Sequence, residues 1–256
     1  MTDILCIQHL SVSLGHTRIL RDVSFDVPQG SITGIVGGSG SGKTTIGLAI
    51  LGLLPDVMER TDGRIVFDGQ DITDHSGQQM RALRGAGVSM AFQEPMSAFN
   101  PVMTIGAQIG ETVLAHENVS GTIVRERTLA ALRSAGINDA QRVAAAYPFE
   151  LSGGLRQRAM IAQAIVCRPK LLIADEPTSS LDVNTQDKIL DLFKELRRSL
   201  GLAIVLVTHD LGVVRRVADE VVVLCKGEVA EQGKAEAVLS SPRCGYTRTL
   251  LEAEGL

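Results

Sequence analysis

An α/β fold carrying an inserted helical part is what this sequence predicts, and three observations predict it. Short apolar runs that end on polar residues recur along the chain. A glycine-rich loop joins one of these runs to an apolar-periodic helix, and a long middle stretch shows helical spacing alone. With 256 residues and 45% hydrophobic side chains, the chain has enough apolar surface to bury a large core.

The first strands show as period-2 alternation: Val23, Phe25 and Val27 share one face, and Pro28-Gln29-Gly30 stops the run. Ser31-Ile32-Thr33-Gly34-Ile35-Val36 reads as a buried strand that leads directly into Gly37-Gly38-Ser39-Gly40-Ser41-Gly42-Lys43-Thr44, a fit to the G-x-x-x-x-G-K-[ST] pattern. Glycines let the backbone wrap phosphates, with N–H groups from about Gly40 to Thr45 pointing inward at the start of a helix carrying Ile46, Leu48 and Ile50. Lys43 then meets the β and γ phosphates, and Thr44 offers its hydroxyl to Mg²⁺. A Gly/Ser-rich linker is the bland alternative, but a linker has no reason to sit between a buried strand and an apolar-periodic helix.

Further along, Val88-Ser89-Met90-Ala91-Phe92 is an apolar stretch closing on Gln93, a group able to touch Mg²⁺ or water. Residues from about Thr104 to Val166 read as helices, with Ile123, Leu129 and Leu132 near helical spacing. Within them, Leu151-Ser152-Gly153-Gly154 places a capping hydroxyl and two bare glycines before a helix, which makes a phosphate-seeking helix start. Leu171-Leu172-Ile173-Ala174 then closes on Asp175-Glu176-Pro177, so two carboxylates emerge at the C-terminal end of a buried strand, where doubly wound sheets bind ligands. Asp175 is placed to hold Mg²⁺ and Glu176 to orient or deprotonate an attacking water. Leu192, Phe193, Leu196 and Leu200 mark the apolar face of a long helix. After it, Leu202 to Thr208 forms another buried strand and delivers His209 at its edge, facing the γ-phosphate. His9, His16, His75 and His116 have no such placement and read as structural or solvated.

Composition narrows the function classes. A formal net charge of −4 argues against a nucleic-acid partner, which needs a basic face, so Arg197-Arg198 and Arg215-Arg216 read as solvated helix edges. Cys6, Cys167, Cys225 and Cys244 are scattered without zinc or disulfide spacing, which fits a reduced, cytosolic setting. Met1-Thr2-Asp3 leads straight into a strand with no basic, apolar leader, and no run reaches the ~18 apolar residues of a membrane span.

Taken together, the glycine loop, Gln93, Leu151 to Gly154, Asp175-Glu176, Ser180-Leu181-Asp182 and His209 occur in the order and approximate spacing of an ATP-binding-cassette ATPase, and the resemblance runs from about Ile4 to about Leu251. It implies an α/β P-loop NTPase (RecA-like) core with an antiparallel β subdomain and an inserted α-helical subdomain. The expected division is a nucleotide core from residues 1–92 and 168–235, a helical signature part over 93–167 and a helical tail over 236–256. It also implies the cofactors ATP and Mg²⁺. Lys43, Thr44, Gln93, Asp175, Glu176 and His209 form half of a site, with Gly37, Gly38, Ser39, Gly40, Ser41, Gly42 and Thr45 around the phosphates. Ser152, Gly153 and Gly154 cap the ATP of a second cassette, and Asp182 lies along the seam. Leu14 stands where many relatives put an aromatic ring against adenine, and Leu155 where a glutamine is frequent.

A narrower likeness, to ATPases of the dipeptide, oligopeptide and nickel importers, rests on Phe92-Gln93-Glu94-Pro95, Ser97 to Pro101, Tyr147 to Glu150 and Ser241 to Arg248; Val36 to Ser39 and Ser97 to Pro101 are most similar to the nickel member. Longer relatives add a cysteine-containing C-terminal extension, absent from this sequence. The partners implied are a second cassette, integral-membrane permeases and, indirectly, an extracytoplasmic solute-binding protein, with the chain peripheral on the cytoplasmic face of the inner membrane. Pro95, Met96, Phe99, Pro101 and Met103 are expected to line a groove for the permease's cytoplasmic helix. The competing expectation is an ATPase of a soluble assembly such as a phosphonate-cleaving complex.

Overall fold

The computed structural model describes residues 2–179 and 181–255, so Met1, Ser180 and Leu256 lie outside the described residues. In chain order the elements are β1 (Asp3–Leu14), β2 (Thr17–Pro28), β3 (Ile32–Val36), α1 (Lys43–Ile50), β4 (Met58–Phe67), β5 (Gln70–Asp71), α2 (Gly77–Leu83) and β6 (Val88–Ala91). The helical stretch follows as α3 (Pro95–Ala98), α4 (Ile105–Leu114), α5 (Gly121–Ser134), α6 (Ala140–Ala145), a 3₁₀ turn at Pro148–Glu150, and α7 (Gly153–Ile165). The chain then returns to alternation with β7 (Leu171–Asp175), α8 (Val183–Leu200), β8 (Ala203–Thr208), α9 (Leu211–Val217), β9 (Glu220–Cys225), β10 (Glu228–Lys234), α10 (Ala235–Ser240) and α11 (Gly245–Ala253).

Two sheets result: a four-stranded antiparallel one in the order β2-β1-β4-β5, and a six-stranded one in the order β10-β9-β3-β8-β7-β6. In the larger sheet β3 pairs in parallel with both β8 and β9, and β7 pairs in parallel with β6 and β8. Every residue of β3, β7 and β8 is buried, as expected for parallel strands covered on both faces. Because these strands run the same way, their C-terminal ends share one edge, and the segments leaving β3, β6, β7 and β8 there carry Lys43, Gln93, Glu176 and His209.

Three apolar clusters hold this arrangement. One lies between the antiparallel sheet and the central sheet, joining Leu5, Leu10 and Leu20 to Ile35, Ile46 and Val205. A second sits on the opposite face, where Ile109, Leu132 and Ile161 of the helical stretch meet Leu172, Ile204 and Phe193. That second cluster is continuous, so the helices share a core with the sheet. The third gathers Val36, Leu211, Val214, Leu239 and Leu251. Burying side chains of this size stabilises a fold by roughly 1.5–3 kcal/mol each before conformational entropy is subtracted.

Some expectations from the sequence change here. Ile123 lies in a helix as its spacing indicates, exposed in the first turn of α5, but Leu200, placed on the apolar face of the long helix, is half-exposed at the end of α8, which stops at a left-handed Gly201. Arg197 is no solvated edge: its Nε donates to the Gly30 carbonyl at 2.6 Å and its Nη1 lies 2.9 Å from Asp219, whose carboxylate also accepts the Ile32 N–H. Arg216 pairs with Asp187 and Asp191 on α8. Arg197 ties α8 to the edge of the sheet and Arg216 ties α9 to α8, roles that a charge pair in sequence does not reveal. Among the described residues, no helix is long and apolar enough to cross a membrane.

Candidate functional site

The glycine loop leaves β3 and enters α1 through conformations that side chains disfavour. Gly42 has φ +100°, and a Cβ there would stand 2.5 Å from Leu20 Cδ2; at Gly37 (φ +155°) one would meet the Leu224 carbonyl oxygen at 2.1 Å. Both positions need glycine for its backbone freedom and for the missing side chain. The loop wraps the Lys43 ammonium, which donates to the carbonyls of Gly37 (2.8 Å) and Gly38 (3.1 Å). Lys43 is almost fully buried, and burial lowers its pKa against the opposing pull of Glu176 and Asp175.

Across the loop, the Thr44 hydroxyl donates to Asp175 Oδ1 at 3.2 Å. Asp175, the last residue of β7, is buried, and its carboxyl pKa is raised by burial, opposed by the Thr44 hydrogen bond, with the Glu176 charge adding to the rise and Lys43 opposing it. Glu176 follows with φ +47°, a left-handed backbone rare for a residue with a side chain, while its N–H donates to the Val207 carbonyl at 2.8 Å. Such a conformation costs on the order of 1–3 kcal/mol and persists only where surrounding contacts enforce it. It turns the Glu176 carboxylate toward His209, whose Nδ1 lies 2.9 and 2.8 Å from the two carboxylate oxygens. The Glu176 side chain is only 12% exposed, whereas that of His209 is 64% exposed.

These groups surround one open cleft of about 650 Å³, lined by Ile19, by the loop from Ser39 through Thr45, and by Gln93, Glu176 and His209. Ser41 Oγ is buried there without a hydrogen-bond partner. The arrangement suits a polyanion: backbone N–H groups at a helix start, an ammonium, and a hydroxyl beside a carboxylate. Thr44 Oγ1, Asp175 Oδ1 and the Gln93 amide also make an all-oxygen donor set of the hard type that Mg²⁺ takes, so the residues present fit that ion.

The other half of the expected site lies elsewhere. Ser152 caps α7, accepting the Leu155 N–H at 3.4 Å, and both it and Gly153 are exposed, outside the cleft. Asp182 caps α8 in the same way, accepting from Thr185 N (3.0 Å) and Thr185 Oγ1 (2.7 Å), bonds that hold its carboxyl below the ordinary range. The two caps touch through Thr185: a Cβ on Gly154 would come within 2.8 Å of Thr185 Cγ2. Leu14 ends β1 opposite Thr17, half-exposed and outside the cleft lining, while Ile19 of β2 lines it. Nothing local in the sequence marks Ile19, because its position follows from the pairing of β2 with β1.

Around Gln93 one expectation needs correction. Phe99 is 3% exposed and Pro95 is buried, so both pack inside and cannot line a docking surface; Met96, at 44% exposed, does face out. The apolar groove at this corner is instead formed by Leu53, Met90, Phe92, Ala98 and Met160, about 240 Å³ between the sheet core and the helices. Pro95 and Phe99 stand four residues apart, at the start and just past the end of the short helix α3, so both fall on its inward face, and Phe99 joins the core shared by the helices and the sheet.

Fold and site together define an α/β protein of the P-loop class with a nucleotide-phosphate cleft at the C-terminal edge of its parallel sheet. Comparison with known proteins takes this further. Residues 20–179 match the family described as ABC transporter, and the chain belongs to that family. The dipeptide transport ATP-binding protein DppD of Bacillus subtilis (strain 168) is 44% identical over 256 residues, covering 98% of this chain and 76% of that protein. The peptidoglycan transport ATP-binding protein YejF of Agrobacterium fabrum (strain C58 / ATCC 33970) is 46% identical over 256 residues, and there the chain spans 47% of the relative's length. Among solved structures, cbiO1 from Clostridium perfringens, part of the ABC transporter complex cbiONQ, superposes with a TM-score of 0.83 at 29% identity over 94% of this chain and 92% of that one. The ATP-binding cassette MJ0796, solved as a dimer in a post-hydrolysis state with ADP and Pi, gives 0.79 at 29% identity over 90% and 98%. The chain is therefore an ATPase of the cassette type, binding ATP and hydrolysing it in support of transport.

Proposed function

We propose that this chain is the ATP-hydrolysing subunit of an importer for small peptides, acting as one of two cassettes joined head to tail. The observation that carries this reading is the separation of the two halves: Lys43, Thr44, Gln93, Glu176 and His209 line one cleft, while Ser152 and Gly153 stand exposed outside it. A second cassette supplies the missing cap. In that arrangement the γ-phosphate is gripped by Lys43 and the loop N–H groups from one copy and by the start of α7 from the other. The MJ0796 cassette, solved as a dimer bound to ADP and Pi, supports the reading to the extent that two cassettes pair in a nucleotide-bound state.

Each residue then has a task. Lys43 exchanges its carbonyl partners Gly37 and Gly38 for phosphate oxygens, which an ammonium with three donors can do without moving far. Thr44, Asp175 and Gln93 would hold Mg²⁺, which neutralises phosphate charge when bound. Glu176 accepts a proton from the attacking water, and His209, hydrogen-bonded to it through Nδ1, keeps the carboxylate turned toward the cleft. Asp182, at the start of α8 and linked to Gly154 through Thr185, carries the state of one site to the seam. Ile19, which lines the cleft where Leu14 does not, gives adenine apolar contact in place of a ring. The groove at Leu53 and Phe92, next to Gln93, receives a permease helix, so nucleotide state is felt at the membrane partner. A solute-binding protein outside the membrane completes the system, and the chain is proposed to divide into a nucleotide core, a helical part and a helical tail.

Peptides are the proposed cargo because the relatives' names speak of dipeptide and peptidoglycan transport; nickel and metal chelates rest on a short sequence likeness alone. The test is to isolate the chain from native membranes, identify its companions, and measure ATP turnover of the reconstituted complex with candidate solutes. Permease partners and stimulation by a di- or oligopeptide are expected. Soluble partners only, or stimulation by a metal chelate and by no peptide, would overturn the reading.

A further inference from the structure

The C-terminal segment Ser241 to Arg248, conspicuous in the sequence and unused by the site as described, opens a helix that touches that site twice. α11 is pinned at its start by Glu231 of β10, whose carboxylate accepts the N–H groups of Arg243 (2.8 Å) and Cys244 (3.1 Å). Two residues further on, Tyr246 Oη accepts the backbone N–H of Gly38 at 3.1 Å. A Cβ on Gly38 would lie 3.3 Å from that hydroxyl, so the bare glycine is what lets it come so close. At the far end, Glu254 Oε2 accepts the N–H of Leu211 at 2.8 Å, two residues beyond His209. Between these contacts Leu251 is buried in the cluster that holds Val36 and Leu211, the residues bordering the glycine loop and the His209 turn.

The Gly38 peptide units are thus held from two sides, with the N–H fixed by Tyr246 and the carbonyl by Lys43. A loop with this many glycines has many conformations open to it, and each one that cannot take phosphate lowers the apparent affinity by the fraction of time spent there. A hydrogen bond from a separate, well-packed helix removes some of those conformations before nucleotide arrives. The same logic applies at the His209 turn, where the Leu211 N–H would otherwise be an unsatisfied group at a helix start.

We propose that α11 braces the catalytic edge: Tyr246 keeps the phosphate loop in its nucleotide-receiving shape, and Glu254 fixes the turn that presents His209 to the γ-phosphate. Both are positioning residues, acting through Gly38 and through Leu211. The proposal rests on the assignment of Lys43 and His209 to the ATP site.

The experiment uses the full-length chain. Tyr246→Phe keeps the ring and loses the acceptor, so affinity for a fluorescent ATP analogue should fall about fivefold, the effect of one neutral hydrogen bond, while kcat changes less than about twofold. Glu254→Ala should do the reverse, lowering kcat about fivefold with the ATP affinity held, and Glu254→Gln should restore kcat because its amide oxygen still accepts the Leu211 N–H. Wild-type affinity in Tyr246→Phe together with wild-type kcat in Glu254→Ala overturns the brace, as does a lowered melting temperature with both kinetic parameters unchanged. Lys43→Ala is run alongside: if it too binds ATP like the wild type, the assignment of the ATP site has failed and the brace falls with it for that reason.

Discussion

The phosphate-loop half of the site and the α7 start differ in how far each is finished. In the first, the charged groups and the Thr44 hydroxyl already have protein partners, Lys43 on two carbonyls, Thr44 on Asp175 and Glu176 on His209, while the buried Ser41 Oγ has none. In the second, Ser152 caps its own helix and otherwise faces outward, with Asp182 beside it through Thr185. The difference teaches that one half is preorganised to receive an anion and the other to be brought to one. Preorganisation of the first half has a visible cost, since Lys43 and Asp175 both sit in burial that disfavours their charged forms.

Substitutions in the two halves should therefore fail in different ways. The largest effect is expected from Glu176→Gln, which should lower ATP turnover at least ~10²-fold, on the scale of losing a general base, while ATP still binds. Single-turnover and equilibrium binding measurements check this, and near-normal turnover would remove Glu176 from the chemistry. Lys43→Ala should weaken ATP binding itself by roughly 10- to 100-fold, the worth of a charge-assisted contact, as read by titration of the isolated chain. Ser152→Ala sharpens the comparison most directly. It should leave ATP affinity of the isolated chain unchanged yet reduce turnover of the assembled pair about tenfold, with the lost cap costing about 1 kcal/mol of stability. A drop in the isolated chain's affinity would mean that both halves serve one copy's cleft.

The smallest effect concerns stability. The Asp175 carboxyl is raised by burial, so the folded protein holds that proton more tightly than the unfolded chain and the ionised group is destabilising at neutral pH. Asp175→Asn should consequently raise the melting temperature of the nucleotide-free protein at pH 7–8. The gain should shrink as pH falls through the raised pKa, where the native carboxyl is already neutral. Calorimetry at two pH values decides this.

Much of the fold was legible because buried parallel strands leave a plain trace. Ile32–Val36, Leu171–Asp175 and Ala203–Thr208 are largely apolar, fully buried stretches, and each leads into a loop whose polar groups the shared edge brings into one place. One cap was legible too, since a hydroxyl before a helical pattern is a local signal, as at Ser152, whereas the cap that Asp182 makes on α8 was not read from the sequence. What escaped were long-range consequences of packing. Ile19 reaches the cleft only through strand pairing, and Phe99 turns inward because the helices share a core with the sheet. Arg197 binds Gly30 across 167 positions, and Tyr246 meets Gly38 across 208, distances over which no periodicity carries information.

The left-handed backbone at Glu176 bears on how such a protein changes under selection. A glycine there would relax the chain and give a sturdier molecule that has lost its carboxylate, so screens that reward heat resistance alone should favour discarding this side chain. Variants kept for transport must instead gain their robustness elsewhere, in segments remote from the bend after β7.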